Sequence, residues 1–189
     1  SNKLKKNTEE NHFSVKIVYA GSVERLKGGA FNAVSTMKYL PTKYTLYVLG
    51  HGSENNIKNL KSLIKEVNSQ KNYQKVTYLG TMHGDEYSKI LTECDIAINP
   101  QNVGDYMNTA FPSKVISYLA HNLRVVTTKI ISVEKSSIAD LVIFVEDDNP
   151  QTIAKAIESI SLETKYDSSK VIEKLHKDFS NSLQRLLED

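Results

Sequence analysis

About six short apolar runs, each followed by a turn and then a helical stretch, constrain this chain more than any other feature. The runs are SVKIVYA (14–20), YTLYVL (44–49), VTYL (76–79), IAIN (96–99), LRVVT (123–127) and LVIFV (141–145). They are short, rich in β-branched residues and continuously apolar, the pattern of strands buried on both faces. Between them lie segments with helical periodicity at 28–40, 54–69, 85–93, 133–139 and 151–160, with a last one at 168–187. In the second, Ile57, Leu60, Leu63, Ile64 and Val67 recur every three or four residues. The first offers Phe31, Val34, Met37, Tyr39 and Leu40 to the core before Pro41 stops it. Strand and helix in strict alternation predict an α/β fold: a doubly wound, Rossmann-like parallel sheet of about six strands, with helices on both faces.

Such a sheet binds ligands beyond the carboxyl ends of its strands. Those ends fall at Gly21, Gly50, Gly80, Pro100 and Thr127. Three are glycines, where backbone can approach a ligand closely. The stretch FPSKVISYLAHNLRVV (111–126) organises the rest. Pro112 at a first helical position costs no hydrogen bond, Val115, Ile116 and Leu119 share an apolar side, and Asn122 suits the left-handed residue after the helix. The helix start at Pro112, Ser113 and Lys114 then presents N–H groups and an ammonium to an anion.

Composition removes several classes. Of 189 residues, 40% are hydrophobic and 24% charged, with a formal net charge of +2, too small to imply nucleic-acid binding. The single cysteine, Cys94, excludes an internal disulfide and a multi-cysteine zinc site and fits a reducing compartment. No apolar run approaches the roughly 20 residues that span a bilayer. Residues 1–13 read as a tag scar or linker, 14–163 as the Rossmann-like domain and 164–189 as a C-terminal helix.

Three loops hold candidate chemistry. GSVERLKGG (21–29) brings Gly21, Ser22, Arg25 and Lys27 to a glycine-rich turn, an inventory suited to a diphosphate or to a solvated basic loop. Gly50-His51-Gly52 suits close backbone approach or an ordinary turn. In GTMHG (80–84), Gly80, Thr81 and Met82 have backbone to offer a base edge, though a plain strand-to-helix loop reads the same way. The five histidines show no metal-ligand spacing, and H-E-x-x-H, G-x-S-x-G and C-x-x-C are absent from the sequence. Glu146-Asp147-Asp148 reads as a solvated strand-end loop or a divalent-cation site.

The order of these pieces carries more than any one of them. A strand then G-S-x-x-x-x-K-G, a strand then G-x-G, a strand then L-G, C-D-I-A-I-N-P, then F-P-S-K-x-x-x-Y-L-A and an apolar strand: the series, over roughly 15–160, resembles the C-terminal donor-binding domain of retaining GT-B glycosyltransferases, the glycosyltransferase group 1 family. The resemblance implies a nucleotide-sugar donor, with UDP expected as the nucleotide. It makes Lys27 the diphosphate lysine, 112–114 the phosphate-facing helix start, and 80–82 the backbone beside the base. It implies no metal, because cations and helix dipoles carry the leaving diphosphate.

This chain departs from the family pattern. Ser22 stands where the family places an arginine, and Arg25 is its expected replacement. The family's paired glutamates fall at Thr109 and Ser117, which leaves Ser117 as a neutral partner for the ribose hydroxyls. The resemblance also implies an N-terminal acceptor domain, absent from these residues, to which the last helix would cross. Without it that helix folds onto its own domain or exposes apolar surface that favours a homodimer. The resulting expectation is a hexosyl- or N-acetylhexosaminyl-transferase in glycan biosynthesis, acting on a glycan, lipid or protein. Its expected place is the cytoplasm, with room for peripheral contact at the inner membrane face, and this fragment alone is expected to be inactive. The alternative is a catalytically inactive GT-B-like binding or chaperone subunit.

Overall fold

A computed structural model of the protein describes residues 14–25, 29–70, 75–101 and 113–188. Lys27, Gly28, Thr109, Phe111 and Pro112 therefore lie outside the described residues. Among those described, six strands form one parallel sheet: β1 (Val15–Ala20), β2 (Tyr44–Leu49), β3 (Val76–Gly80), β4 (Ile96–Asn99), β5 (Arg124–Thr128) and β6 (Val142–Val145). Their order is β3-β2-β1-β4-β5-β6. The chain turns back at β1 and β4, so the sheet's switch point lies between these two strands. Among the described residues seven α-helices connect or follow them: α1 (Gly29–Thr36), α2 (Glu54–Ser69), α3 (Gly84–Thr92), α4 (Ser113–Ala120), α5 (Ile131–Glu134), α6 (Pro150–Glu158) and α7 (Ser168–Glu188).

The expected two-sided burial holds for the central strands. All four residues of β4 and five of six in β1 are buried. The edge strands β3 and β6 are mostly half-buried. One apolar cluster joins β1 and β2 to Val34 of α1, Leu60 of α2 and Ile157 of α6. The other joins Val18 and Val125 to Leu91 of α3 and Leu119 of α4, with Ile172 and Leu175 of α7 packed against it.

Three boundaries differ from the sequence expectation for physical reasons. Helix α1 ends at Thr36 rather than at residue 40. The Thr36 hydroxyl bonds back to Asn32 O, and residues 37–39 make tighter three-residue bonds before Pro41. Tyr39 consequently turns outward, 49% exposed, whereas Met37 and Leu40 are buried. The helix expected at 133–139 is α5, shifted to Ile131–Glu134 and followed by a 3-10 turn at Ala139–Leu141. Strand β5 starts one residue late because Leu123 belongs to the end of α4. Asn122 adopts φ 62° as expected. Its N–H bonds Leu119 O, and Leu123 N–H bonds Tyr118 O, which together make a Schellman motif.

Helix α7 packs on the domain through its first turns. Ile172 and Leu175 fold onto the domain, while Phe179, one turn further on, is 68% exposed.

Candidate functional site

The carboxyl ends of β1, β2 and β3 are laced together by their own backbone. Gly21 N–H donates to Leu49 O at 2.9 Å, Val23 N–H to His51 O at 2.8 Å, and Gly50 N–H to Gly80 O at 2.8 Å. This lacing explains the glycines differently from the sequence. A Cβ on Gly50, at φ 146°, would lie 1.7 Å from Gly21 O, and one on Gly52 2.4 Å from Val23 O. Loop packs on loop there, so the room left by the missing side chains is filled by backbone. Gly80 is the opposite case, with open space around it and a φ of 78° that favours glycine.

Two tyrosines brace the loops from below. The Tyr19 hydroxyl donates to Ser22 O at 3.0 Å, and the Tyr78 hydroxyl donates to Gly50 O at 2.8 Å. Burial pushes both phenols up, so they remain neutral donors.

Above these loops lies a cleft of about 460 Å³. Of the residues singled out in the sequence, Gly21, Ser22, Gly50, Thr81, Met82 and Lys114 line it. The Lys114 ammonium comes so close to Gly21 that a Cβ there would sit 2.5 Å from it. Helix α4 therefore carries a cation from its first turn to the end of β1, and its macrodipole adds positive character at the same end. Gly52 and Gly80 are not among the lining residues, Ser113 opens α4, and Arg25 is exposed away from the lining. Lys27 and Pro112 lie outside the described residues.

The structure adds His51, His83 and Tyr87 to the lining. In the sequence His51 stands only between the two glycines of an ordinary-looking turn, and Tyr87 only within the helical segment 85–93. Tyr87 is half-buried, and its hydroxyl lies 3.3 Å from Ser117 Oγ. The described lining contains Lys114 and two histidines and no carboxylate.

Two clefts of about 540 Å³ lie elsewhere, one along the exposed side of α2 and one at the amino ends of the strands. Neither gathers the carboxyl ends of strands, where ligands of parallel sheets bind. Among the described residues no group of three or more His, Cys, Asp or Glu side chains is arranged to hold a metal ion. No described helix is long and apolar enough to cross a membrane.

Residues 14–162 match the sequence profile of the family described as "Glycosyl transferases group 1". No curated protein matches the chain. Solved structures share its fold at low identity. The Anabaena protein Alr3699/HepE in complex with UDP and glucose superposes with a TM-score of 0.66 at 11% identity, over 92% of this chain and 49% of its own. Sucrose-phosphate synthase from Thermosynechococcus elongatus gives 0.67 at 16%, over 94% and 45%. The catalytic domain of cholesterol-α-glucosyltransferase from Helicobacter pylori gives 0.61 at 16%, over 89% and 98%. The chain thus spans about half the length of two of these proteins and nearly all of the third.

Proposed function

Because this chain belongs to the group 1 glycosyltransferase family, as one Rossmann-like domain of the GT-B architecture, we propose that its cleft binds the nucleoside diphosphate of a sugar donor. The observation that carries this reading is the meeting of Lys114 and the start of α4 with Gly21, beside the switch point of the sheet. As the bond from sugar to diphosphate breaks, negative charge grows on the leaving phosphate. A preplaced ammonium and a helix N-terminus stabilise that charge without reorganising. Lys27, in the loop that starts at Gly21, is the further cation this reading assigns to the same group, whereas Arg25 is exposed away from the lining. Such a site needs no metal to hold the diphosphate.

In this reading Thr81 and Met82, both in the cleft lining, meet the base, one by backbone and the other by its half-buried side chain. Ser117, one helical turn beyond Lys114, pairs with Tyr87 to offer neutral hydroxyls to the ribose. A uridine nucleotide is the donor class favoured, since HepE has been solved with UDP and with UDP-glucose. The reaction is transfer of a hexosyl or N-acetylhexosaminyl group to a glycan, lipid or protein acceptor in glycan biosynthesis. It takes place at the cytoplasmic side, with a second, acceptor-binding domain completing the cleft, so the present chain alone binds donor weakly and transfers nothing. The lost carboxylate at Ser117 is what an inactive binding subunit would share, but membership of a transferase family does not favour that reading.

Isothermal titration of this chain with UDP tests the proposal. Binding is expected, weakened about tenfold or more by Lys114→Ala through loss of a charge-assisted contact. No heat at millimolar UDP would overturn it.

A further inference from the structure

Strand β1 is finished differently along its two edges. Towards β2 it pairs at every residue from Val15 to Ala20. Towards β4 the register holds only at Ile17↔Ile96 and Val18↔Ala97. Past Val18 the two strands part, and the crevice of the switch point opens. Ala20 lies at that opening, only 6% exposed, and its backbone N–H and C=O have no ladder partner there. Left unpaired, such groups are costly.

One side chain of α4 satisfies both. The Tyr118 hydroxyl accepts the Ala20 N–H at 2.9 Å and donates to Ala20 O at 3.2 Å. Tyr118 is fully buried, and burial holds its phenol well above its ordinary pKa. It stays neutral, which is the form that can accept and donate at once. Tyr118 also lies four residues after Lys114 on the same helix, one turn along. The helix that brings Lys114 to Gly21 is therefore fastened to the residue just before Gly21.

We propose that Tyr118 is a positioning residue that fixes the start of α4 against the end of β1, and so sets the diphosphate share of donor binding. This rests on the reading of the cleft given above. It assigns Tyr118 no contact with the donor. Its influence passes through Lys114 and the helix start.

The test compares uridine with UDP on the wild type and on Tyr118→Phe, which keeps the ring and loses both hydrogen bonds. A purely structural role lowers thermal stability and leaves the ratio of uridine to UDP affinity unchanged. A positioning role leaves uridine binding alone and weakens UDP binding, which raises that ratio about tenfold. Amide exchange without ligand is the second arm. In Tyr118→Phe, exchange is expected to quicken at Ala20 and at Lys114–Val115 together. Quickening at Ala20 alone would overturn the proposal, as would an unchanged affinity ratio. Should the variant fail to fold, wild-type exchange decides: UDP must slow Ala20 about tenfold and uridine must not, and equal effects would overturn it. Failure of the wild type to bind UDP sinks the functional reading instead, and ligand-free exchange then still decides whether Tyr118 couples the two elements.

Discussion

The two ends of the parallel sheet are held by different means. At the amino end, side chains reach across elements to seal backbone groups. Asp95 accepts the Lys16 N–H at 2.8 Å, and the Tyr166 hydroxyl bonds Leu123 O and Leu141 O. Nearby, buried Lys75, just before β3, donates to Met37 O and Leu40 O where α1 runs out. At the carboxyl end, backbone packs directly on backbone across glycines, and tyrosines brace the loops from beneath. The first arrangement satisfies backbone groups with side chains and contributes stability. The second keeps side chains out of the space directly above the strand ends.

If that contrast is right, Gly50→Ala has the largest effect. Its Cβ would collide with Gly21 O, so we expect a loss of about 3 kcal/mol or more in urea unfolding, together with loss of UDP binding. A variant that folds and binds normally would show that the lacing is dispensable. Lys75→Met comes next. It strands two buried carbonyls, so unfolding should be easier by about 2 kcal/mol while UDP affinity changes less than about twofold. Weakened binding in step with stability would erase the distinction between the ends.

The smallest effect concerns Cys94, beside Asp95 at the amino end. Burial, with Asp95 next, pushes its thiol up to about 12. The folded protein thus keeps a proton that the unfolded chain releases at roughly pH 8.5, so stability contributed by this group falls as pH rises from there towards 12. At pH 8, thiol reagents should modify native protein at least about tenfold more slowly than urea-unfolded protein. Equal rates would mean that this end is open.

What was legible in the sequence was mostly local. Asn122 as the left-handed residue and the spans of β2, α2 and β4 follow from neighbours a few positions apart. The purpose of Gly50 and Gly52 was not, because it depends on β1 and β2 ending in register at Ala20↔Leu49. Tyr118 stands in the sequence only as one position of the F-P-S-K-x-x-x-Y-L-A stretch, and Tyr87 only as part of the helical segment 85–93. Nothing local says that one hydroxyl meets Ala20 and the other Ser117. Helix α7 has one apolar side along its length by periodicity, but only tertiary contact decides that its first turns pack and Phe179 does not.

The Schellman turn at Asn122 has an electrical consequence. Asn122 Oδ1 accepts the Ser168 N–H at 2.8 Å, and the Ser168 hydroxyl donates to Leu119 O at 2.8 Å. The negative pole of α4 therefore abuts the positive pole of α7, and the two partial charges largely neutralise each other. The positive pole at Ser113 is then opposed by less nearby negative charge than a free helix of eight residues would bring, and its pull on an anion reaches further into the cleft.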